Sequence, residues 1–163
     1  MRGLIGALCL LMMTESMAAA DYSMSIHGTK CVTRDPYIRY GAQYGPYNAV
    51  SGGGVRPLWC SLDLMDVTTN SSEISVVVDV TDRNDGAGQD VTCSMWDMLW
   101  DGSGGLLISS GSTSGWNAGT DEILFLGFQL YYGQYVNMYC VLPPYQSSHG
   151  YSNLLSVWAD VFQ

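Results

Sequence analysis

The chain has 163 residues and carries 6 Lys and Arg against 15 Asp and Glu, which gives a formal net charge of -9. Such an acidic chain excludes a nucleic-acid partner, because phosphate recognition depends on clustered cations. Hydrophobic residues make up 47% of the chain, which excludes intrinsic disorder, and no run of about 18 apolar residues predicts a transmembrane segment.

The first 20 residues predict a signal peptide. Arg2 provides a positive start, residues 3–13 form a short apolar core, and the alanines at 18–20 form a small-residue cleavage site. We therefore expect residues 21–163 to form the mature protein as a single domain, without linkers or long repeats. The protein is expected to be secreted or periplasmic, or to lie at the cell surface.

The remaining chain predicts about eight short strands separated by glycine-rich turns. The clearest is 73–82, where β-branched residues alternate so that Ile74, Val76 and Val78 share one face. No window shows a sustained helical period. In chain order, strands are predicted at 25–32, 55–62, 73–82, 90–98, 105–109, 122–130, 136–142 and 152–162.

Neighbouring strands predict two hairpins. The first joins 73–82 to 90–98 through an Asp-Gly turn, and the second joins 122–130 to 136–142. Tyrosines at 37–47 recur at helical spacing, but glycines and a proline interrupt them, which predicts a loop or an irregular edge.

These elements predict an all-β fold. We expect an antiparallel β-sandwich, either Ig-like or jelly-roll-like, of about eight strands, and a partly closed barrel is the alternative. Pro57 places the strand at 55–62 at an edge or a bulge, because proline cannot donate to the ladder. Trp59, Trp96 and Trp158 lie in strand segments beside cysteines or valines, and we expect them in the core.

Four cysteines remain after the signal peptide, namely Cys31, Cys60, Cys93 and Cys140. An even number in an exported protein predicts two disulfides. Four cysteines allow three pairings, of which we favour Cys31–Cys60 and Cys93–Cys140. The first pair joins sequence neighbours, and the second joins two predicted strands. A zinc site would need a CxxC or CxH spacing, and the chain has none.

The order of these cysteine segments resembles a group of small exported bacterial proteins of unassigned function. Those proteins place a cysteine before a Pro-Leu pair and later carry a Tyr-x-Cys-x-Leu-Pro segment. Here Tyr139-Cys140-Val141-Leu142-Pro143 keeps the Cys-x-Leu-Pro part, and Ser61 stands where the first pattern has proline. The resemblance covers about residues 25–163, implies an exported β-rich domain with four cysteines, and supplies no catalytic residues.

No residue pattern predicts a catalytic site, and we expect no enzymatic activity. Nucleophilic catalysis needs a base beside a serine or a cysteine, and the two histidines, His27 and His149, lie in no such motif. The serine-rich run at 111–115 has Thr113 where a nucleophile elbow needs serine. Asp121-Glu122 could supply a carboxylate pair for glycoside hydrolysis, but acids that open a strand are usually solvated.

Acidic and amide side chains cluster in one glycine-rich loop. Asp82, Asn84, Asp85 and Asp90 could supply oxygen ligands to calcium, although their spacing is not that of an EF-hand. Such Asp-Gly-rich segments are equally typical of ordinary turns. We therefore predict no obligatory cofactor, with calcium as the candidate ion for this loop.

Aromatic residues with a polar end are in excess, with 11 Tyr and 5 Trp but only 3 Phe. Tyrosine and tryptophan suit surfaces that keep one wet end, and flat rings can stack on sugar rings. The alternative is that these rings cover the ends of the sandwich or contact a protein. The candidate ligand-binding residues are Tyr40, Tyr44, Tyr47, Trp116, Tyr131, Tyr132 and Tyr135.

Two functions of different classes follow from this sequence. The first is an exported, non-catalytic binding protein that recognises carbohydrate or a surface polymer through the aromatic residues. The second is a structural or adhesive extracellular protein that assembles with itself or with another surface protein through exposed strand edges. A monomer retained on polysaccharide would favour the first, and a polymer would favour the second.

Overall fold

The computed structural model describes residues 20, 22–64, 72–85, 89–99, 105–117, 119–130 and 134–163. The predicted signal peptide lies outside these residues except for Ala20, and so do Tyr131 and Tyr132. Within the described ranges there are ten β-strands and one short 3-10 turn at Gly28–Lys30. No helix in that part of the chain is both long and apolar enough to cross a membrane.

The ten strands overlap all eight segments that the sequence predicts, and there are two more. The predicted strand at 25–32 is correct only at its start, because the observed strand ends at His27 and the 3-10 turn precedes Cys31. The additional strands are short and fall in the tyrosine-rich segment near the N-terminus. The strands are β1 Tyr22–His27, β2 Ile38–Gly41, β3 Gly45–Asn48, β4 Arg56–Leu62, β5 Ser72–Thr81, β6 Thr92–Leu99, β7 Gly105–Ser112, β8 Asp121–Leu130, β9 Gln134–Leu142 and β10 Asn153–Phe162.

The strands form two antiparallel sheets that pack as a sandwich. The six-stranded sheet has the order β2-β3-β10-β5-β8, with β1 beside β3 on the same edge of β10, and the four-stranded sheet has the order β4-β9-β6-β7. Strands β3 to β10 alternate between the sheets, apart from the β6–β7 pair. This is the strand order of a jelly roll, which decides between the two predicted sandwich types.

The core lies between the sheets and comes from strict alternation along the strands. In β5 every second residue, from Ile74 to Val80, is fully buried, and in β9 the same holds from Val136 to Leu142. The intervening residues face outward. Each strand therefore gives one face to the core and one to the outer surface of its sheet, where binding residues can lie.

Both predicted disulfides form, with the favoured pairing Cys31–Cys60 and Cys93–Cys140. Cys93 and Cys140 are direct register partners on β6 and β9, and all four cysteines are buried. The bridges close segments of 29 and 47 residues, so each stabilises by about 4 kcal/mol on the chain-entropy model. Two disulfides indicate folding in an oxidising compartment.

Both predicted hairpins are wrong. β5 belongs to the six-stranded sheet while β6 belongs to the four-stranded sheet, and β8 and β9 are divided in the same way. The segment between β5 and β6 is long enough to cross the space of about 10 Å between packed sheets. Alternation shows which face of a strand is buried, but it does not identify the neighbouring strand.

The tyrosine-rich segment at 37–47 is also more regular than expected, because β2 and β3 pair as a short hairpin. Gly45 has a φ of +69°, and a Cβ atom there would lie 2.0 Å from the Leu154 carbonyl oxygen. This close contact fastens the hairpin to β10. As Pro57 suggested, β4 is an edge strand of its sheet.

The three tryptophans expected in the core lie on the outer faces instead. Trp59 is 42% exposed, Trp158 is 49% exposed and Trp96 is half-buried. Their strand neighbours, such as Leu58 and Cys60 beside Trp59, occupy the core positions. Alternation therefore turns each indole outward.

Candidate functional site

A groove of about 790 Å³ opens at one end of the outer face of the six-stranded sheet. Its floor is a row of register partners on three adjacent strands, Tyr47 on β3, Asn153 on β10 and Thr81 on β5. Directly opposite residues of antiparallel strands share a face, so these side chains lie next to one another. We call this site the tyrosine groove. It is lined by Gly41, Gln43, Tyr44, Tyr47, Thr81, Arg83, Gly119, Thr120, Tyr151, Asn153 and Leu155.

Tyrosine rings form the apolar part of the groove. Tyr47 and Tyr151 have ring centroids 4.4 Å apart, and Tyr145 lies behind Tyr151 with centroids 4.5 Å apart. Tyr44, in the β2–β3 turn, is 62% exposed. Ring contacts of this kind hold the aromatic faces in place before a ligand arrives.

Polar side chains surround these rings and can form hydrogen bonds. The Arg83 guanidinium is a planar donor, while the amides of Gln43 and Asn153 can both donate and accept. The Asn153 amide donates to the Tyr151 carbonyl oxygen at 2.8 Å, which fixes its orientation. The combination of rings, amide groups and one guanidinium suits a ligand with both apolar faces and hydroxyl groups.

The buried carboxylate of Asp82 holds this end of the sandwich together. It accepts hydrogen bonds from the Asn84 and Val91 amides at 3.0 and 3.2 Å, from the Ser152 hydroxyl at 3.0 Å and from the Thr113 hydroxyl. Three loops therefore converge on one side chain. Arg83 follows Asp82 in the chain and Tyr151 precedes Ser152, and both of these residues line the groove.

The four predicted calcium ligands all have protein hydrogen-bond partners in the structure. The Asp82 oxygens already accept protein donors, and Asn84 donates through its side chain to the Pro144 carbonyl oxygen at 3.1 Å. Asp90 accepts from the Gly115 amide at 2.9 Å, and Asp85 pairs with another loop. No group of three or more His, Cys, Asp and Glu side chains that could hold a metal ion occurs in the described ranges. Calcium binding at this loop stays a prediction.

Asp85 connects the loop after β5 to the loop after β9. Its carboxylate accepts from the Gln146 amide at 2.7 Å and pairs with His149 Nε2 at 3.2 Å. The hydrogen bond from Gln146, followed by that from His149, lowers the pKa of Asp85 below its ordinary value. The His149 ring lies 5.1 Å from the Trp116 ring, so this contact also positions Trp116.

The predicted aromatic residues do not all come together. Tyr44 and Tyr47 line the groove, whereas Trp116 lies on a neighbouring loop against His149. Tyr40 faces the other side of the β2–β3 hairpin and donates to the Cys31 carbonyl oxygen at 3.1 Å. Tyr135 opens β9 opposite Met98 and therefore lies at the far end of the sandwich. Tyr131 and Tyr132 fall outside the described residues.

Sequence reasoning missed Tyr151, Arg83 and Asn153 as groove residues. Arg83 and Asn153 follow and begin strands that become adjacent only in the folded sheet. Tyr151 carries a local signal, because it directly precedes a predicted strand and adds a ring to a polar loop. Its contact with Tyr47 spans more than 100 residues of sequence, which no local pattern reveals.

The chemistry of the histidines does not resemble that of a nucleophilic site. His149 pairs with Asp85, and His27 Nδ1 lies 3.0 Å from the Thr29 hydroxyl in a local turn. All four cysteines of the described chain are in disulfides. Thr113, at the position compared with a nucleophile, is buried and bonded to Asp82.

No protein-family model matches the chain, and no curated protein matches it at a significant level. Among solved structures, the CBM36-1 domain of a multidomain xylanase from the hindgut metagenome of Trinervitermes trinervoides superposes with a TM-score of 0.53 at 8% identity. The alignment covers 87% of this chain and 98% of that domain.

Two further structures have lower TM-scores. The xylan-binding module CBM15 superposes at 0.49 with 14% identity, over 87% of this chain and 97% of that one. A carbohydrate binding module, CBM6cm-2 from the Cellvibrio mixtus lichenase 5A, superposes at 0.47 with 12% identity, over 84% and 95%. The similarity to the CBM36-1 domain shows that the two share a β-sandwich fold.

Proposed function

We propose that this protein is a non-catalytic carbohydrate-binding protein and that it holds a sugar chain in the tyrosine groove. The observation that carries the proposal is the row of Tyr47, Asn153 and Thr81 across three strands, with Tyr151 and Arg83 beside it. The shared fold supports it, because the structure with a TM-score of 0.53 is named a CBM domain of a xylanase.

Sugar rings have apolar faces and hydroxyl groups around their edges. The faces can stack on Tyr44 and Tyr151, while the hydroxyls exchange hydrogen bonds with Arg83 and Asn153. The groove lies at the protein surface and is lined by residues of four strands and their loops, so more than one sugar ring can lie in it. A polymer, rather than a small isolated sugar, therefore suits this geometry.

The proposed location is outside the cytoplasm. The predicted signal peptide would direct export, and the two disulfides are typical of secreted and periplasmic proteins. An exported protein would meet polysaccharide at the cell surface or in the surrounding medium. We propose recognition without turnover, because the groove side chains bind and orient but form no arrangement of nucleophile and base.

A second candidate function is self-assembly through a strand edge. β8 is an edge strand of the six-stranded sheet, and its outward residues Leu124 and Leu126 are exposed. β8 has no lysine or proline against pairing, and its charged residues, Asp121 and Glu122, lie only at its start. Light scattering over a range of protein concentrations tests this alternative, which predicts growth in particle size.

Retention on immobilised polysaccharides tests the proposed function. We expect the purified protein to be retained by at least one neutral polysaccharide in a panel. Tyr44→Ala and Tyr151→Ala should each weaken binding about tenfold, since truncating an aromatic anchor typically removes more than 1 kcal/mol.

Tyr22→Ala is the matched control, because Tyr22 is an exposed tyrosine on β1 outside the groove. It should bind as the unaltered protein does. Failure of every polymer to retain the protein, or equal losses in Tyr22→Ala and Tyr151→Ala, would contradict the proposal.

A further inference from the structure

We propose a second carbohydrate site on the outer face of the four-stranded sheet, which would make the protein a bridge between two sugar chains. This inference rests on the proposed function of the tyrosine groove. The second site, which we call the aromatic face, consists of Trp59 on β4, Asn137 and Tyr139 on β9, and Ser94 and Trp96 on β6.

Three aromatic rings form the stacking part of the aromatic face. Trp59 and Tyr139 are register partners, and their ring centroids are 4.5 Å apart. Trp96 lies two strands away from Trp59, at a separation of about 10 Å across the sheet. Rings spaced in this way can contact successive parts of an extended ligand.

Neutral hydrogen-bonding groups lie between these rings. Asn137 is the register partner of both Ser61 and Trp96, and it accepts from the Ser61 hydroxyl at 2.6 Å. Ser94 lies beside Tyr139 in the neighbouring row. The Asn137 amide nitrogen and the Ser94 hydroxyl can therefore meet ligand hydroxyls within the same surface.

The distribution of charge favours a neutral ligand at this site. None of the outward-facing residues of β4, β9, β6 and β7 carries a charge. The other sheet differs, because Glu73, Asp79, Glu122 and Asp160 face outward there. In a chain with a net charge of -9, the uncharged face is the one that accepts a neutral polymer without desolvating carboxylates.

The surface continues past the edge of the sheet. A cavity of about 820 Å³ lies beside Trp59 and, unlike the sheet face, has charged residues in its lining, which consists of residues 32–36, Arg34 and Asp35 among them, and Pro57. The Asp35 carboxylate is already paired with Arg56 at 3.3 Å. Val32 and Trp59 exchange two backbone hydrogen bonds at 2.7 and 2.8 Å, which fixes this segment against β4. A chain that stacks on Trp59 can therefore extend into the cavity.

The two sites face in opposite directions. The tyrosine groove lies on the outer face of one sheet and the aromatic face on that of the other, with the core between them. One straight segment of polymer cannot contact both faces. Two chains can do so, and simultaneous binding would cross-link them. Because the two sites are joined in one molecule, the protein would hold neighbouring chains of a surface more tightly than either site alone.

A capture assay tests this proposal. Beads coated with a neutral polysaccharide that retains the protein are loaded with the protein, washed and exposed to fluorescently labelled soluble chains of the same polymer. We expect the unaltered protein to capture labelled chains. Trp59→Ala should stay on the beads through the groove, while its capture falls at least about tenfold.

Variants of the groove and of a control surface complete the assay. Tyr44→Ala should bind the beads more weakly, through the aromatic face alone, and should show a similar loss of capture. Trp158→Ala is the matched control, because this equally exposed indole lies outside both sites, and it should capture normally. Asn137→Ala keeps all three rings, guards against a folding defect and should lower capture severalfold.

The outcomes separate the two proposals. If no polymer retains the protein, the proposed function fails and the bridge fails with it. If the protein is retained but captures nothing, or if Trp59→Ala and Asn137→Ala capture as well as the unaltered protein, the bridge is wrong, and the groove stands where Tyr151→Ala lowers retention. Capture that survives Trp59→Ala would indicate a dimer with one groove in each copy.

Discussion

Asp82 shows how one buried side chain can position a surface site. Its two oxygens accept hydrogen bonds from the loop after β5, from Thr113 and from Ser152. The Ser152 hydroxyl also accepts from the Arg83 amide at 2.9 Å. Arg83 and Tyr151 therefore have backbone positions that depend on this carboxylate, although it does not line the groove.

Replacing Asp82 with alanine should destabilise the protein by about 3 kcal/mol, because several buried donors would lose their acceptor. Urea unfolding followed by tryptophan fluorescence measures the change. Asp63→Ala, which alters an exposed aspartate, is the control and should unfold as the unaltered protein does. An unchanged midpoint for Asp82→Ala would show that other contacts hold the three loops.

Asp97 contrasts with Asp82, whose two buried oxygens both accept hydrogen bonds. It lies on β6 beside Trp96, and its Oδ1 atom is buried without a hydrogen-bond partner among the described residues. Burial raises the pKa of this carboxyl above its ordinary value. The folded state therefore binds a proton more tightly than the unfolded chain does. The free energy of unfolding falls as pH rises from the carboxyl pKa of the unfolded chain to the higher pKa of the folded protein.

Asp97→Asn should melt at a higher temperature than the unaltered protein at pH 7, because the variant has no charge to bury. The difference should shrink as pH falls below the ordinary carboxyl pKa, where Asp97 is protonated in both states. Thermal unfolding at pH 7 and pH 3 measures this. A constant difference at the two pH values would mean that charge is not the cause.

At the scale of single residues, the sequence predicts the residue types that line the groove better than it predicts their positions. The excess of tyrosine correctly points to the residue type that lines the groove, and Tyr44 and Tyr47 are among the predicted residues. The acidic loop makes calcium a candidate ion beside an ordinary turn, and the structure adds that the Asp82 oxygens bond to protein donors. Side chains that are close in sequence were assumed to act together, and Tyr40 shows that alternation can separate them.

At the scale of the elements, the β2–β3 hairpin determines the shape of the groove. It carries Tyr44 in its turn and Tyr47 on its outer face, and it is held against β10 at Gly45. Local sequence suggested irregular structure here because glycine and proline disfavour regular elements. The Leu154 carbonyl needs a residue without a Cβ atom, so the tertiary contact explains what the local pattern could not.

Gly45→Ala should destabilise the protein by about 2 kcal/mol or more, because its Cβ atom would meet the Leu154 carbonyl and its φ is positive. It should also weaken polysaccharide retention by displacing Tyr44 and Tyr47. Gly52→Ala is a matched control with a φ of +65° and no atom within 4 Å of the added carbon. Equal effects of the two substitutions, measured by urea unfolding, would contradict a role for this contact.

At the scale of the whole molecule, the two sheets have different chemistry on their outer faces. The six-stranded sheet carries four acidic side chains on its outer face and has the tyrosine groove at one end, whereas the strands of the four-stranded sheet present aromatic and uncharged residues. The pattern of alternation predicts two-faced strands and hence a sandwich. It does not reveal which outer face collects the rings.

The fold class and both disulfide pairings could be predicted, while the order of the strands could not. Neighbouring strands were expected to pair, but in a jelly roll most of them lie in opposite sheets. The prediction that the three tryptophans lie in the core is wrong for a related reason. Hydrophobicity alone does not distinguish the two faces of a strand when both carry large residues, as at Leu58 and Trp59.

The most direct test of carbohydrate binding in the tyrosine groove is an NMR titration of the isotope-labelled protein with an oligosaccharide from a polymer that retains it. We predict that the perturbed amide signals include a cluster at residues 44–47, 81–83 and 151–155. Signals that stay unchanged in these segments, while the oligosaccharide binds elsewhere or does not bind at all, would contradict this account.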